Sequence, residues 1–183
     1  MDLVVPSLVR LPHYVDALKR GWSGDNIRLE AAAAEDLAEI AEDPASFVAS
    51  LDDRKAKGGP IALPDGTQVA RLPGLVRWIW DGEFCGQIGF RWQPGTEALP
   101  VHVLGHIGYA VVPWKRRRGY ATRALALMLP EARREGLAWV ELTTDADNEP
   151  SRKVIAANGG RLLGTFRSPA HGPQERVRYR ITL

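Results

Sequence analysis

The chain has 183 residues, of which 45% are hydrophobic and 25% charged, an ordinary composition for a soluble globular protein. Its 24 basic and 22 acidic residues give a net charge of +2, which is too small to indicate a nucleic-acid partner by itself. No apolar run approaches the ~18 residues that a membrane span needs, and the start lacks the pattern of a secretory signal. We therefore expect a cytoplasmic protein, not associated with membranes, that folds as one domain over residues 1–183.

Cys85 is the only cysteine, which excludes an internal disulfide and a cysteine-rich metal site and fits a reducing compartment. It lies in the apolar run FCGQIGF. The main interpretation is therefore a buried small hydrophobic residue, and a reactive thiol is the alternative. We expect no metal site.

The N-terminal part, residues 1–74, is predicted to consist of helices and a loop. The segments HYVDALKRG and EDLAEIAEDPASFVASLDDRKAKG place apolar residues at helical spacing, and Pro44 can begin a helix within the second segment. This pattern predicts two or three helices. The Gly- and Pro-rich stretch of residues 58–74, GGPIALPDGTQVARLPG, indicates a loop.

The C-terminal part alternates between strand and helix patterns. LVRWIWDGEFCGQIGFRW predicts a hairpin with Asp81-Gly82 at its turn, and a third strand follows over His106 to Val112. A helix from about Arg118 to Arg134, a strand WVELTT, a short helix over Ser151 to Ala157 and two closing strands, RLLGTFRS and ERVRYRITL, complete the order. Strands separated by helices favour parallel neighbours and hairpins require antiparallel ones, so we expect a mixed sheet.

A run of basic residues, KRRRGYA at residues 115–121, follows the predicted strand and precedes the predicted helix. The first N–H groups of a helix have no intrahelical partner and carry about half a positive charge, so they attract anions. Gly119 has no side chain to keep a phosphate away, and the arginines before it add donors and charge. A pyrophosphate would suit this loop, and a solvated basic patch is the alternative.

The segment GYAVVPWKRRRGYATRALALML resembles the strand, pyrophosphate loop and helix of the GNAT superfamily of acyl-CoA-dependent N-acyltransferases. Residues 116–121, RRRGYA, match the family's loop pattern Arg/Gln-x-x-Gly-x-Gly/Ala throughout. A second match, DNEPS at residues 147–151 followed by NGG at residues 158–160, lies one predicted strand later. The resemblance spans roughly residues 75–183, and phrases such as GHIGYAVVP are similar to those of predicted bacterial acetyltransferases.

The resemblance implies an α/β (α+β) fold with a mixed, mostly antiparallel central sheet of six to seven strands and helices on both faces. Residues 1–74 would then supply a first strand and helices that cover the acceptor site, and residues 75–183 the sheet and the acyl-CoA-binding core. The implied activity is transfer of an acetyl group from acetyl-CoA to a primary amine of a small molecule or peptide. The amine would attack directly in a ternary complex, with acetyl-CoA as cosubstrate and no metal.

The resemblance also implies a set of residues that bind acetyl-CoA. Backbone N–H groups of Val111 and Val112 would bind the thioester carbonyl and the pantetheine, as an oxyanion hole. Asn148 would bond the pantetheine arm and Ser151 would lie near the cosubstrate, although capping of the following helix is an alternative role for Asn148. The pyrophosphate loop and the first helical turn complete the set: Arg116, Arg117, Arg118, Gly119, Tyr120, Ala121 and Thr122.

An acceptor amine is protonated at neutral pH, so a base must remove one proton directly or through water. Several family members have a glutamate at the start of this strand, in the pattern Glu-Leu-Gly-Tyr, where this chain has His106-Ile107-Gly108-Tyr109. Histidine titrates near neutrality, so we expect His106 to be the base or to position the water that acts as one. A histidine that only bonds within the sheet is the alternative, and Glu83 and Glu141 are secondary candidates.

The general acid of the family has no counterpart at its usual position. Many members have a tyrosine seven residues after the asparagine that protonates the leaving thiolate, and this chain has Ile155 there. Tyr109, Tyr120 or Tyr179 could replace it. Alternatively, the thiolate leaves unassisted, because the pKa of a thiol lies only ~1.5 units above neutral.

Two other functions fit parts of the sequence. A GNAT fold that binds acyl-CoA as a non-catalytic sensor would explain the missing tyrosine. A nucleic-acid-binding module would combine the basic run with Arg176, Arg178 and Arg180, which share one face of the last strand, but the many acidic residues oppose it. We expect acetyl-CoA and an amine as partners and no nucleic acid, with a homodimer as one option.

Overall fold

The computed structural model describes residues 1–63, 66–168 and 171–183. Strands and helices follow the predicted order, and three helices precede the long hairpin, as the helical spacing indicates. In chain order the elements of these described residues are β1 (Asp2–Val4), α1 (Leu11–Lys19), α2 (Glu30–Glu42), α3 (Pro44–Ser50), β2 (Asp52–Asp53), β3 (Ile61–Ala62), β4 (Gln68–Val69), β5 (Gly74–Trp80), β6 (Phe84–Arg91), β7 (Ile107–Val111), a 3₁₀ turn (Pro113–Lys115), α4 (Tyr120–Arg134), β8 (Trp139–Asp145), α5 (Glu149–Ala157), β9 (Arg161–Arg167) and β10 (Glu175–Thr182).

Local signals explain most of these boundaries. Pro44 is the first residue of α3, and the Asp43 carboxylate caps that helix by accepting hydrogen bonds from the N–H groups of Ala45 and Ser46, both at 3.0 Å. The Gly- and Pro-rich loop contains the short hairpin of β3 and β4, while its residues 64–65 lie outside the described part of the chain. The hairpin of β5 and β6 turns at residues 81–83, where Gly82 has a φ of 109°.

Seven strands form two sheets that lie side by side, apart from the two-residue strands β2 to β4. The first sheet has the order β1-β5-β6-β7, and the second has the order β8-β10-β9. Every ladder between described residues is antiparallel. The predicted antiparallel character and strand number are therefore confirmed.

The parallel neighbours predicted from the alternation of strands and helices meet at a single point, between the start of β7 and β8. The His106 N–H donates to the Glu141 carbonyl at 2.8 Å, and the Glu141 N–H donates to Nδ1 of the His106 ring at 3.0 Å. Nδ1 of the histidine ring thus accepts the hydrogen bond that the Glu141 N–H would otherwise donate to a backbone carbonyl of a paired strand. No ladder between β7 and β8 continues from there within the described residues, and we call the region between these two unpaired strands the cleft.

Hydrophobic cores lie on both faces of the first sheet, as expected for helices on both sides. One core continues beneath both sheets and joins α4 and α5 to them through residues such as Ile88, Leu125 and Leu142. The other core packs α1 and α3 on the first sheet, where the Trp78 ring stacks on the Tyr14 ring with 5.3 Å between centroids. The buried interpretation of Cys85 is confirmed, because the residue is fully buried and burial raises the pKa of its thiol to about 12.

The helices of the described residues are also informative about membranes. None of them combines the length and the apolar character that crossing a bilayer requires.

Candidate active site

The strand β7 has one edge paired with β6 and one edge open to the cleft. On the paired edge the Val112 N–H donates to the Cys85 carbonyl at 3.0 Å. Because the N–H groups of an antiparallel strand alternate between its two edges, those of Tyr109 and Val111 point to the open edge. The prediction that Val112 supplies a backbone donor to the thioester is therefore wrong, since its N–H is used inside the sheet.

Two carbonyl contacts support this assignment of the open edge. The side-chain amide of Asn26 donates to the Tyr109 carbonyl at 3.2 Å, and Nε of Arg116 donates to the Val111 carbonyl at 3.3 Å. The N–H and C=O groups of one strand residue point to the same edge. The open edge thus presents two N–H donors, of which Val111 was predicted and Tyr109 was predicted only as a side chain.

Gly86 allows β6 to approach β7 at the position of Val111. Its φ is 142°, and a Cβ atom there would overlap the Ala110 carbonyl oxygen and lie 2.8 Å from Cα of Val111. Only glycine accommodates both the backbone angle and the close approach. The location of the Val111 N–H therefore depends on this glycine.

The predicted pyrophosphate loop has the features of an anion site. Gly119 is the N-cap of α4 in a left-handed conformation (φ 74°), no side chain caps the helix, and its first turn contains no acidic residue. Arg117 also has a positive φ, of 61°, which is uncommon outside glycine and concentrates at functional sites. The unpaired N–H groups of the first turn of α4 and the exposed arginines of residues 116–118 therefore face solvent together.

Lys115 does not take part in this anion site. Its ammonium group binds both carboxylate oxygens of Asp81, at 3.0 and 3.1 Å, and Oε2 of Glu83 at 3.0 Å. The Tyr120 hydroxyl donates to the same Asp81 carboxylate at 2.6 Å. Burial alone would raise the pKa of Asp81, but the hydrogen bonds from Tyr120 and Lys115 outweigh it and hold that pKa well below its usual range.

This cluster ties the hairpin turn to the loop that precedes α4. The side chain of Glu83, a secondary base candidate, is 68% exposed and paired with Lys115 rather than free. The role of Asp81 has no signal in the sequence, because its partner Lys115 lies 34 residues away along the chain.

Tyr109 and Ser151 connect β7 to α5 across the cleft. The Tyr109 hydroxyl lies 2.9 Å from the Ser151 hydroxyl and donates to the Ser151 carbonyl at 3.3 Å. Burial raises the pKa of Tyr109 to about 12, and the Ser151 hydrogen bond offsets this only in part. The phenol is therefore protonated at neutral pH, as an ordinary tyrosine is, and its raised pKa makes it a weaker acid than an exposed phenol.

The hydroxyls of the other two tyrosine candidates have partners in the hairpin turn and in α5 rather than at β7. The Tyr120 hydroxyl is held by Asp81, and the Tyr179 hydroxyl accepts a hydrogen bond from Nε of Arg152 at 3.2 Å. Ile155, at the usual position of the acid, is buried in the core. Tyr109 is thus the candidate that belongs to β7 itself, with its hydroxyl at Ser151 of α5.

Asn148 caps α5, as its alternative role requires. Its Oδ1 atom accepts a hydrogen bond from the Ser151 N–H at 3.1 Å, and its side chain is exposed. This cap uses only the carbonyl oxygen of the amide. The two N–H donors of Nδ2 have no partner among the described residues, so capping and binding of a ligand carbonyl are compatible.

His106 is almost completely buried, with 1% of its surface exposed. Its Nδ1 accepts the Glu141 N–H, so the neutral ring carries its proton on Nε2, which is buried and has no hydrogen-bond partner among the described residues. Burial also lowers the pKa of His106, against the opposite effect of Glu141. This geometry favours a histidine that bonds within the sheet over a base that reaches a substrate.

Glu141 is held by two arginines of β10. Its Oε1 pairs with Arg180 at 2.7 Å and its Oε2 with Arg178 at 3.2 Å, and 13% of its side chain is exposed. Both oxygens of this secondary base candidate are therefore engaged in ion pairs.

Comparisons with known proteins give a consistent picture. A family model described as an acetyltransferase (GNAT) domain matches residues 27–161. The fold is similar to that of RimL, a ribosomal L7/L12 alpha-N-protein acetyltransferase in complex with coenzyme A, with a TM-score of 0.65 at 14% identity over 99% of this chain and 93% of that chain. A search of curated protein sequences finds no match.

Two further solved structures show the same fold. MccE, a microcin C7 self-immunity acetyltransferase in complex with acetyl-CoA and AMP, has a TM-score of 0.64 at 13% identity, covering 99% of this chain and 91% of that chain. An acetyltransferase from Salmonella typhimurium that modifies the N-terminal serine of ribosomal protein L7/L12 has a TM-score of 0.63 at 16% identity, covering 99% of this chain and 94% of that chain.

Proposed function

Because the chain belongs to the GNAT acetyltransferase family and is an acyltransferase, we propose that it transfers the acetyl group of acetyl-CoA to a primary amine of a small molecule or peptide. The observation that carries this proposal is the contact between Arg116 and the Val111 carbonyl, which makes the uncapped start of α4 continuous with the open edge of β7. An anion site and a row of free backbone donors thus adjoin, as a thioester on a pyrophosphate-bearing carrier requires.

The residues present fit acetyl-CoA in two respects. The first-turn N–H groups of α4 and the arginines of residues 116–118 would hold the pyrophosphate, and no described residue distant along the chain approaches within 4 Å of the position that a Cβ of Gly119 would occupy. The free Nδ2 of Asn148 would donate to a carbonyl of the pantetheine arm. The structures of RimL and MccE, which contain coenzyme A and acetyl-CoA respectively, support the same choice of cosubstrate.

The open edge of β7 would supply electrostatic stabilisation. As the amine nitrogen bonds to the thioester carbon, negative charge develops on the carbonyl oxygen, and the N–H groups of Tyr109 and Val111 are the donors available to it. Loss of one such donor costs about 3 kcal/mol in comparable sites. Alignment of amine and thioester in one cleft would contribute much of the remaining rate.

The hydroxyl pair of Tyr109 and Ser151 would assist the leaving group. When the C–S bond breaks, the electron pair goes to sulfur, and the phenol would donate a proton to it directly or through the serine hydroxyl and then regain a proton from water. The proton lost by the amine would leave through water in the open cleft. We assign that step to water because His106 is buried and Glu83 and Glu141 are ion-paired.

Replacement of Tyr109 by Phe tests this proposal. It removes the hydroxyl and keeps the backbone N–H, so we expect kcat to fall by about 100-fold, the lower end for a lost general acid, with acetyl-CoA affinity unchanged. Tyr179→Phe is the matched control, because its hydroxyl bonds Arg152 in the core. Steady-state kinetics and acetyl-CoA titrations measure both effects, and a Tyr109→Phe enzyme with wild-type kcat would refute the assignment.

A further inference from the structure

The face of β8 and β10 that points away from the core carries a compact group of charged and aromatic side chains. Along β8 the buried residues Val140 and Leu142 alternate with outward-facing Glu141, and Arg180 lies opposite Glu141 in the ladder to β10. Arg178 is on the same face, two residues before Arg180. We call Arg178, Arg180, Glu141, Trp139 and Phe166 the arginine patch.

The two guanidinium groups of the arginine patch are held in fixed planes. Arg180 lies over the Trp139 ring at 3.7 Å from its centroid, and Arg178 lies over the Phe166 ring at 4.8 Å. Each arginine also makes one ion pair with Glu141, at 2.7 and 3.2 Å. Stacking on a ring leaves the N–H groups at the edge of a guanidinium free to donate, and the fixed plane lowers the entropy that a ligand would have to remove.

The arginine patch carries a net positive charge after its internal ion pairs are counted. Two guanidinium groups share one carboxylate, which leaves a formal charge of +1, whereas the neighbouring Arg176 is neutralised by its own partner Asp145 at 3.2 Å. The side chains of Arg178 and Arg180 are 40% and 39% exposed, and that of Glu141 is 13% exposed. Part of each arginine side chain therefore faces solvent, although Nε of Arg180 is buried without a hydrogen-bond partner among the described residues, and the shared carboxylate is much less exposed.

The location of the arginine patch relates it to the thioester site. Glu141 is the residue of β8 that His106 binds at the closed end of the cleft. Tyr109, whose N–H lies on the open edge of β7, follows His106 by three residues, or roughly 10 Å at the rise of a β-strand. A molecule that presents an amine to the thioester can therefore reach the arginine patch with a second group.

We propose that the acceptor amine carries an anionic group, a carboxylate or a phosphate, and that Arg178 and Arg180 bind this group and select the substrate. This inference rests on the proposed acetyl transfer and adds to it the chemical class of the acceptor. Two arginines whose planes are fixed suit both kinds of oxyanion, because each guanidinium can donate two parallel hydrogen bonds.

Matched acceptors that differ only in the anionic group test this inference. We would compare ω-amino carboxylates of four to eight carbons with their amides, and aminoalkyl phosphates with the corresponding amino alcohols. For the wild-type enzyme we expect kcat/KM to be at least tenfold higher for the anionic member of at least one series, with a chain-length optimum that reflects the distance to the thioester. The better of the two series distinguishes a carboxylate from a phosphate.

Variants of the arginine patch provide the second arm. In Arg178→Gln and in Arg180→Gln the preference should decrease, and in the double variant, which leaves Glu141 as the only charge, it should reverse. Arg133→Gln, at an exposed arginine of α4, is the matched control and should keep the wild-type preference. Equal kcat/KM for anionic and neutral members, or a preference that survives in the double variant, would overturn the inference.

Binding measurements separate this inference from the proposed function. If acetyl-CoA binds but no amine is acetylated, the acetyl transfer fails as a proposal, and titration of the same acceptor pairs into the protein still decides the role of the arginine patch. Tighter binding of the anionic member, weakened by salt and by the double variant, supports it. Equal binding of both members contradicts it.

Discussion

His106 joins the two sheets through its backbone N–H and its ring Nδ1, both bonded to Glu141. The sequence placed this histidine correctly at the start of the strand that enters the cleft. Its protonation chemistry was not predictable from the sequence, because the burial of the ring and the use of Nδ1 depend on how closely β8 approaches. A ring nitrogen that accepts a backbone hydrogen bond is not available to a substrate.

We expect His106→Gln to retain most of its turnover. Gln cannot act as a base, but because the His106 ring bonds within the sheet, the ~100-fold loss that removal of a general base causes should not appear. The pH profile of kcat/KM should keep the same shape in the variant as in the wild type. A large loss of rate together with the loss of a pH-dependent limb that the wild type shows would restore His106 as the base.

The same substitution should change the pH dependence of stability. The folded state holds the pKa of His106 below its ordinary value, so between the two pKa values the unfolded chain binds more protons than the folded one. The contribution of His106 to the free energy of unfolding is therefore fully present above about pH 6.5, and it decreases as the pH falls below that value toward the lowered pKa of the folded state. Denaturant titrations at pH 7 and pH 5 should show a smaller decrease for His106→Gln, with His171 still titrating in both proteins.

Asn148 offers a test that separates its two roles. In Asn148→Asp the carboxylate keeps the cap on α5, while the Nδ2 donors disappear. We expect this variant to melt at nearly the wild-type temperature. Its kcat/KM should fall by a factor equivalent to about 1–2 kcal/mol, the size of a lost neutral hydrogen bond. Asn148→Ala should lose both stability and activity.

Wild-type kinetics in Asn148→Asp would mean that the residue only caps the helix. The sequence alone could not make this distinction, because asparagine favours both a helix start and a ligand amide contact. In the structure the two roles belong to different atoms of the Asn148 side chain, since Oδ1 caps the helix and Nδ2 can donate to a ligand.

The strand β7 and the helix α4 define the site as elements. The alternation of β7 is readable from the sequence, but the edge that pairs with β6 is not, which is why Val112 was assigned a donor role that its hydrogen bond to Cys85 excludes. The start of α4 was predicted within two residues, since a glycine after basic residues is a local signal. The cluster of Asp81 and Lys115 was missed because it joins distant segments.

Substitutions of Gly119, at the start of α4, test whether anion binding depends on the left-handed backbone conformation of the loop. Gly119→Val forces a β-branched residue into the left-handed region, which costs roughly 1–2 kcal/mol and should distort the loop, so we expect coenzyme A affinity to fall by about tenfold or more. Gly119→Asn is the matched control because asparagine tolerates this conformation. Calorimetric titration with coenzyme A measures both, and equal affinity in wild type and Gly119→Val would argue against the pyrophosphate loop.

At the scale of the whole molecule, the two larger antiparallel sheets of the described residues are hydrogen-bonded to each other at one point, and the cleft begins where that pairing stops. The order of elements follows from hydrophobic spacing and the helices on both faces from the family resemblance, and the structure confirms both. Hydrophobic spacing does not reveal that β7 and β8 form no parallel ladder among the described residues. At their contact the side chain of His106 accepts the hydrogen bond that a carbonyl of a paired strand would accept. The cytoplasmic location and the homodimer stay predictions.

The basic residues of the last strand bear on the alternative of a nucleic-acid-binding module. Arg176 is paired with Asp145, and Arg178 and Arg180 share Glu141. The three arginines therefore present much less free charge than their spacing in the sequence indicates. The net charge of +1 that the three arginines and two carboxylates leave suits one small anion, whereas a nucleic-acid backbone needs several such phosphate contacts.

Release of coenzyme A from acetyl-CoA, followed in the presence and absence of amines, tests the central claim most directly. The panel contains the ω-amino carboxylates, aminoalkyl phosphates, their neutral counterparts and short peptides with a free N-terminus. The account predicts that acetyl-CoA stabilises the protein against thermal unfolding by mass action and that coenzyme A appears only with an amine, in a one-to-one ratio to the acetylated product by mass spectrometry. Acetyl-CoA that binds and stabilises the protein but stays intact with every amine would contradict acetyl transfer and identify a non-catalytic acyl-CoA sensor.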